Sequence, residues 1–241
     1  MFSTLFIGLL SIFVFLIDLF SFLSSKLSLT YLKRLIASLL SKEKVVDPLK
    51  IPHHMAVAFG TDDLINLNLL CDFIYFAAQD GIRRLSFYDP NGRISEMLHD
   101  LEHTWYRLAK RKQLRRPVNF DITKPSAIAS PRTSSTSLEV CVLSRRHGKE
   151  ALLNICAELS QTSIEITVDE IRRQLEIQGI YEVDFLLTIG CANTLHDFPP
   201  WSLRVAEICS MERLNSTDRL RADEFRLILA DFTKRERRLG Y

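Results

Sequence analysis

Three hydrophobic patterns succeed one another along the chain. The first is nearly unbroken: Phe2 to Leu23 is apolar or small throughout apart from Asp18. At about 1.5 Å of rise per residue, a helix of that length crosses the roughly 30 Å hydrocarbon layer of a bilayer. Residues 1–24 are therefore read as a transmembrane anchor. A cleaved signal peptide would need a basic segment ahead of the apolar run and a clear small-residue cleavage site behind it, and neither is present. Lys26, Lys33, Arg34, Lys42, Lys44 and Lys50 all follow the apolar run, which by the positive-inside rule puts the body of the protein in the cytosol. The second pattern lies in a juxtamembrane segment, 25–50. Leu29, Leu32, Leu35, Ile36 and Leu39, with Lys33 and Arg34 between them, suit either a short amphipathic helix on the membrane surface or an ordinary linker helix.

The third pattern occupies 51–241, where short apolar runs alternate with amphipathic stretches. That alternation predicts an α/β domain with a largely parallel sheet flanked by helices. Met55 to Phe59 is a first strand, and Leu64, Leu67, Leu70, Cys71, Ile74 and Ala78 form the buried face of a helix stopped by Gly81. Arg84 to Tyr88 is a second strand, ended by the turn Asp89-Pro90-Asn91-Gly92. A single long helix is expected from Ile94 to about Lys112. Residues 117–137 are rich in Ser, Thr and Pro without an apolar period and predict a flexible loop. A third strand over Val140–Leu143, a helix after Lys149, a helix over Val168–Gln178, a fourth strand over Tyr181–Ile189 and a fifth over Val205–Cys209 complete the sheet.

The pattern closes on a helix from about Asp223 to Arg238, whose apolar stripe is Phe225, Ile228, Leu229 and Phe232 at i, i+3, i+4 and i+7. Lys234, Arg235, Arg237 and Arg238 crowd its end, and Arg238-Leu239-Gly240 precede only Tyr241. On these residues alone two readings stand. Gly240 and the cations terminate a helix and complement its dipole, or an arginine fork and glycine amides reach an anion outside the domain.

Composition narrows the classes. With 241 residues, 47% hydrophobic and 25% charged, the chain supports one core of about 190 residues plus an appendage. A net charge of +2 leaves no general electrostatic footprint for nucleic acid. The five cysteines form no CxxC pair and no metal-ligand spacing, and read as buried thiols of a reduced domain. His99 and His103 share a helix face, but Asp100 rather than Glu follows the first and no third ligand is evident, so no metal is assigned. Arg107, Lys110, Arg111, Lys112, Arg115 and Arg116 form a basic run that suits lipid headgroups or a solvated helix end. GxGxxG, Walker A and GxSxG patterns are absent.

Five blocks carry a family resemblance. Ile51-Pro52-His53-His54-Met55-Ala56-Val57, Leu85-Ser86-Phe87-Tyr88-Asp89, Asp184-Phe185-Leu186-Leu187, Phe198-Pro199-Pro200-Trp201-Ser202-Leu203-Arg204 and Arg238-Leu239-Gly240 occur in the order found in cis-prenyltransferases. Over 51–241 the chain is similar to their accessory subunits, the Nogo-B receptor type of the dehydrodolichyl diphosphate synthases. Catalytic members follow the first strand with Asp-Gly-Asn-Gly-Arg, which serves Mg²⁺ and the allylic diphosphate; here the strand runs into Gly60-Thr61-Asp62-Asp63, with the two carboxylates read as helix-start residues. After the fourth strand catalytic members carry Arg-Thr-Gly-Gly-Glu and a further Arg, where this chain has Thr188-Ile189-Gly190-Cys191-Ala192 and Thr194.

The resemblance therefore implies a subunit inactive alone, with no catalytic residue and no metal ligand of its own. It implies a heteromer with a catalytic cis-prenyltransferase subunit that holds Mg²⁺ and extends farnesyl diphosphate with isopentenyl diphosphate toward dolichol for protein glycosylation. Arg238, Leu239 and Gly240 would enter that partner's active site and bind the diphosphate of isopentenyl diphosphate, and Phe198, Pro199, Pro200 and Trp201 would lie at the interface, with Trp201 as core the other reading. The implied location is the endoplasmic-reticulum membrane, with a single pass and a cytosolic C-terminal domain. An alternative is a membrane receptor or scaffold that uses the degenerate fold for protein contacts.

Overall fold

β1 (His54–Phe59) is buried along its whole length and pairs on both sides. In the computed structural model, which describes residues 50–121, 137–162, 165–190, 194–211 and 219–234, it is central to a six-stranded sheet. The other strands are β2 (Arg84–Tyr88), β3 (Val118–Asp121), β4 (Leu138–Leu143), β5 (Phe185–Ile189) and β6 (Glu207–Met211), in the spatial order β3-β4-β2-β1-β5-β6. All five pairings are parallel, with Val57 opposite Phe87 on one side and Leu187 on the other. The helices are α1 (Leu67–Asp80), α2 (Arg93–Glu96), α3 (Leu98–Lys112), α4 (Lys149–Ser160), α5 (Val168–Ile177) and α6 (Ala222–Thr233).

The two-residue period of a strand divides the core. Met55, Val57 and Phe59 face the layer of α1, α3 and α6, joined by Leu85, Phe87, Phe185, Leu187 and Ile189. Ala56 and Ala58 face the other way, with Tyr88, Leu143, Leu186 and Phe198. A third cluster joins α4 and α5 through Ile155, Leu159, Leu175 and Ile180. The stripe foreseen on α6 is buried throughout; Phe225 stacks on Phe76 at 5.6 Å, and Phe232 meets Phe185 at 5.1 Å. α6 ends beside the start of β1, where the Lys50 amide donates to Thr233 Oγ1 at 3.0 Å.

Four expectations are corrected. The segment 117–137 is not wholly a loop, because Val118 and Phe120 alternate into the main core and β3 pairs with β4 from Val118↔Leu138. The expected Ile94–Lys112 helix is two, since Met97 (φ −94°, ψ 14°) ends α2 and precedes α3. Asp62 and Asp63 do not start α1: Asn66 does, its side chain accepting the Asn68 amide at 2.7 Å, and Leu64 lies outside the helix, 74% exposed. The last two strands begin later than predicted, at Phe185 and Glu207, since Trp201–Leu203 form a 3₁₀ turn before β6. Gly81, at φ 89°, caps α1 as expected.

The segments 1–24 and 25–49, most of the loop interior and Arg238-Leu239-Gly240 lie outside the described residues. Among the described residues no helix is long and apolar enough to cross a membrane.

His54 ties the amino edge of the sheet together. Its backbone amide donates to Asp184 Oδ2 at 2.9 Å. Its ring Nδ1 lies 2.7 Å from the Glu182 carbonyl and must donate there, which leaves Nε2 to accept the Ser86 hydroxyl at 2.7 Å. Burial, reinforced by the Arg84 charge, lowers its pKa from 6.5 to about 4 despite the Glu182 bond and Asp184. A histidine that binds its proton more weakly when folded stabilises fully above pH 6.5 and loses that contribution as pH falls toward 4. Urea unfolding should show a loss of roughly 3 kcal/mol across this window beyond the carboxylate background. His54→Gln should be less stable at pH 7 and should lack that slope; an unchanged slope would show that another group carries it.

Candidate functional site

In an open parallel sheet, ligands bind beyond the carboxyl ends of the strands, where the strand order reverses. Here the reversal lies at β1, which leads to β2 on one side while β5 and β6 lie on the other. Gly60 directly follows β1 and Gly190 directly follows β5, so these two glycines mark the mouth of the crevice.

The crevice is filled by the chain's own carboxylate. Asp63 Oδ2 accepts the Gly60 amide at 2.6 Å. A Cβ built on Gly190 would fall 2.8 Å from Asp63 Oδ2 and nearer still to Oδ1, and one on Gly60 would lie 3.1 Å from Oδ2. Gly190 also has φ +83°, a conformation that disfavours any side chain. Close approach and backbone conformation thus both require glycine at 190.

A guanidinium then locks the neighbouring loops. Gly92 (φ 76°) closes the Asp89-Pro90-Asn91-Gly92 turn and starts α2, which aims Arg93 back across the crevice. Arg93 Nη1 donates to the Asp63 carbonyl at 2.8 Å, and Nη2 donates to the Gly60 carbonyl at 3.1 Å and to Asp89 Oδ1 at 2.8 Å. The Asp89 carboxylate is fully buried; besides this ion pair it accepts the Arg93 amide, the Ile94 amide at 3.3 Å and the Asn91 amide at 3.3 Å. A buried carboxylate needs such a set of donors to offset its desolvation. Asn91 Nδ2 adds a second tie, to the Thr61 carbonyl at 3.0 Å.

The remaining wall is made by the segment after β5. The Tyr88 hydroxyl donates to the His196 carbonyl, and burial together with nearby Asp197 pushes that phenol's pKa up. His196 and Asp197 both have positive φ, 45° and 63°. Arg145 pairs with Asp197 at 3.5 Å, which ties this turn to the segment before α4. Thr188 points not at the mouth but into the sheet edge, donating to Ser210 Oγ at 2.8 Å.

The arrangement suits closure rather than anion or metal binding. Asp63 is held by an amide, Asp89 by a guanidinium and three amides, and Arg93 by two carbonyls and a carboxylate. Both Asp89 oxygens and Oδ2 of Asp63 are thus already taken up by donors of the chain itself. Among the described residues no three His, Cys, Asp or Glu side chains are grouped to hold a metal.

The four residues proposed for an interface differ in exposure. Phe198 and Pro199 are buried, Phe198 edge-on to Tyr88 at 5.0 Å, while Pro200 and Trp201 are half-buried. Trp201 packs against the α4–α5 cluster beneath the Arg204 guanidinium, 5.4 Å above its ring. Sequence reasoning missed the Arg93 brace and a second pair, Asp72 with Arg219. Asp72 stands in the apolar run Leu70-Cys71-Asp72-Phe73-Ile74, and a carboxylate there signals a buried partner. Arg219 supplies it from Nε and Nη2 at 2.6 and 2.8 Å.

Gly190→Ala should destabilise the domain by about 2–4 kcal/mol, combining left-handed strain with overpacking against Asp63. Adding Asp63→Ala should recover the overpacking part, so the two changes should couple by about 1–3 kcal/mol in urea unfolding. Strict additivity would mean that Asp63 does not fill the crevice.

No protein-family model matches the chain. Over 206 residues it is 24% identical to the dehydrodolichyl diphosphate synthase complex subunit nus1 of Schizosaccharomyces pombe, covering 80% of this chain and 78% of that one. A probable undecaprenyl diphosphate synthase from Campylobacter jejuni superposes with a TM-score of 0.54 at 18% identity, covering 81% of this chain and 100% of that chain. Lavandulyl diphosphate synthase from Lavandula x intermedia, solved with dimethylallyl diphosphate, superposes with a TM-score of 0.56 at 16% identity, covering 79% and 99%. The chain thus has the cis-prenyltransferase fold and is similar, over four-fifths of its length, to a dehydrodolichyl diphosphate synthase complex subunit.

Proposed function

We propose that this chain is the accessory subunit of a dehydrodolichyl diphosphate synthase complex, inactive alone and required by a catalytic cis-prenyltransferase subunit. The observation that carries the reading is the self-filled crevice: Asp63 lies where an open sheet of this kind would receive a ligand, and Arg93 is fully engaged in holding it closed. The similarity to the fission-yeast subunit supplies the class of complex. In this reading the partner would hold farnesyl diphosphate, isopentenyl diphosphate and Mg²⁺, and the ion would supply charge neutralisation for the diphosphate there. The product is a polyprenyl diphosphate on the route to dolichol and protein glycosylation.

This chain contributes Arg238-Leu239-Gly240 to the partner's site. Arg238 grips phosphate oxygens bidentately, and the missing side chain of Gly240 lets its amide approach them. The position of α6 supports action in trans. It ends beside Lys50, at the edge where the strands begin, whereas this chain's own crevice lies at the opposite edge. Half-buried Trp201 is the anchor proposed for the partner interface.

Reconstitution tests the reading. The purified chain should show no polyprenyl synthesis by itself and should raise that of a catalytic subunit. Arg238→Ala should lower the activity of the complex about tenfold to a hundredfold, the equivalent of losing charge-assisted hydrogen bonds of about 1.5–3 kcal/mol. Gly240→Val should lower it by obstructing close approach, and neither change should reduce heteromer content. Full activity in both variants would reduce the tail to a helix cap.

The proposed location is the endoplasmic-reticulum membrane, with Phe2–Leu23 spanning it once and the domain cytosolic. Carbonate extraction should leave the chain in the membrane, and protease added outside sealed microsomes should digest the domain. A lumenal chain beginning near Ser25 would overturn both the anchor and the orientation.

A further inference from the structure

A basic cavity is lined by residues of the helical layer and shares none of them with the crevice. α1 and α3 frame an opening of about 310 Å³, closed at one end by the segment that leads into α6. Thr104, Arg107 and Arg111 stand at i, i+3 and i+7 on α3 and share the face that lines it. Opposite them α1 contributes Asn68 and Asp72, and Arg219 completes the wall.

The charges in this cavity do not balance. Asp72 is buried and its carboxylate is fully committed: both oxygens take the Arg219 fork, and Oδ2 also accepts the Leu220 amide at 3.1 Å. That fork uses Nε and Nη2 of Arg219. Arg107 and Arg111 are exposed and make no ion pair among the described residues. Two uncompensated guanidinium groups thus share one concave site with an amide and a hydroxyl. A single carboxylate would neutralise only one of them, whereas a phosphate monoester or diphosphate carries enough charge and enough oxygens for both forks.

We infer that the cavity between α1 and α3 binds a phosphate-bearing ligand, a lipid headgroup or a free phosphate compound, through Arg107, Arg111 and Arg219. The site is independent of the tail and of the crevice.

The test uses the full chain in a neutral detergent, with inorganic diphosphate and dioctanoyl phosphatidic acid as separate probes in equilibrium binding at low and moderate salt. The wild-type chain should bind at least one probe saturably and more weakly as salt rises. Arg107→Ala and Arg111→Ala should each weaken that binding by about tenfold. Arg107→Lys, which keeps the charge but loses the fork, should fall between. Arg146→Ala, an exposed cation before α4, should have no effect. Melting temperatures of the variants should match the wild type, since both arginines are exposed. Tighter binding of phosphatidic acid identifies a headgroup site, and tighter binding of diphosphate identifies a soluble ligand. The proposal is overturned if neither probe binds saturably, or if binding persists unchanged in Arg107→Ala and Arg111→Ala.

Discussion

The reversal of strand order at β1 is the constraint on which the rest of the structure turns. A strand paired in parallel on both sides and covered on both faces leaves its polar backbone groups unsatisfied only at its ends. The loops that leave β1, β2 and β5 therefore converge on one edge with amides and carbonyls that need partners. In many sheets of this type those groups face a ligand. Here Asp63 satisfies the Gly60 amide, and Arg93 satisfies the Gly60 and Asp63 carbonyls. The fold keeps the geometry of a ligand-binding edge and completes it from within its own chain.

Electrostatics makes that completion hard to reverse. An incoming diphosphate would have to displace a carboxylate of like charge, break its bond to Gly60, and draw Arg93 from a fully buried Asp89. Breaking a buried pair by removing one partner is costly, because the remaining charge stays desolvated. The cations at 107 and 111 face no such competition. The same chain thus has a neutralised interior crevice and an unneutralised outer cavity, which is why anion chemistry is assigned to the second and to the tail but not to the first.

Much of the fold was legible because parallel strands buried on both faces read as continuous apolar runs. Arg84–Tyr88 emerged with its boundaries unchanged, and Gly81 marked the end of α1 as a left-handed cap. β3 was hidden because only Val118 and Phe120 carry its pattern, in a segment dominated by Ser, Thr and Pro; four residues are too few for a period to stand out. The break at Met97 was hidden because no glycine or proline marks it. At the crevice, the replaced acidic and basic residues were readable from the sequence, but the means of closure was not. Asp63 resembled a helix cap, and only the approach of the β5 loop shows it meeting Gly190, which is distant in sequence. Asp89 was read as a turn residue, its usual role, and its ion pair with Arg93 adds a second role that turn chemistry alone does not reveal.

The base of the tail is better defined than its length suggests. α6 is held by the ring contacts of Phe225 and Phe232, by the buried Asp72 that receives Arg219 and the Leu220 amide at its entry, and by the bond between Thr233 and Lys50 at its exit. These contacts come from α1, β5 and the start of β1, so the helix is fixed to three parts of the domain rather than docked on one. In the proposed complex this matters because a short tether raises the effective concentration of its end only if its base is fixed relative to the target. A loosely docked α6 would add its own freedom at the base of the tail, and the entropic cost of placing Arg238 against a diphosphate would rise accordingly. The aromatic core around α6 thus does more than stabilise the domain: in the proposed complex it fixes the base from which Arg238 would reach the partner's site.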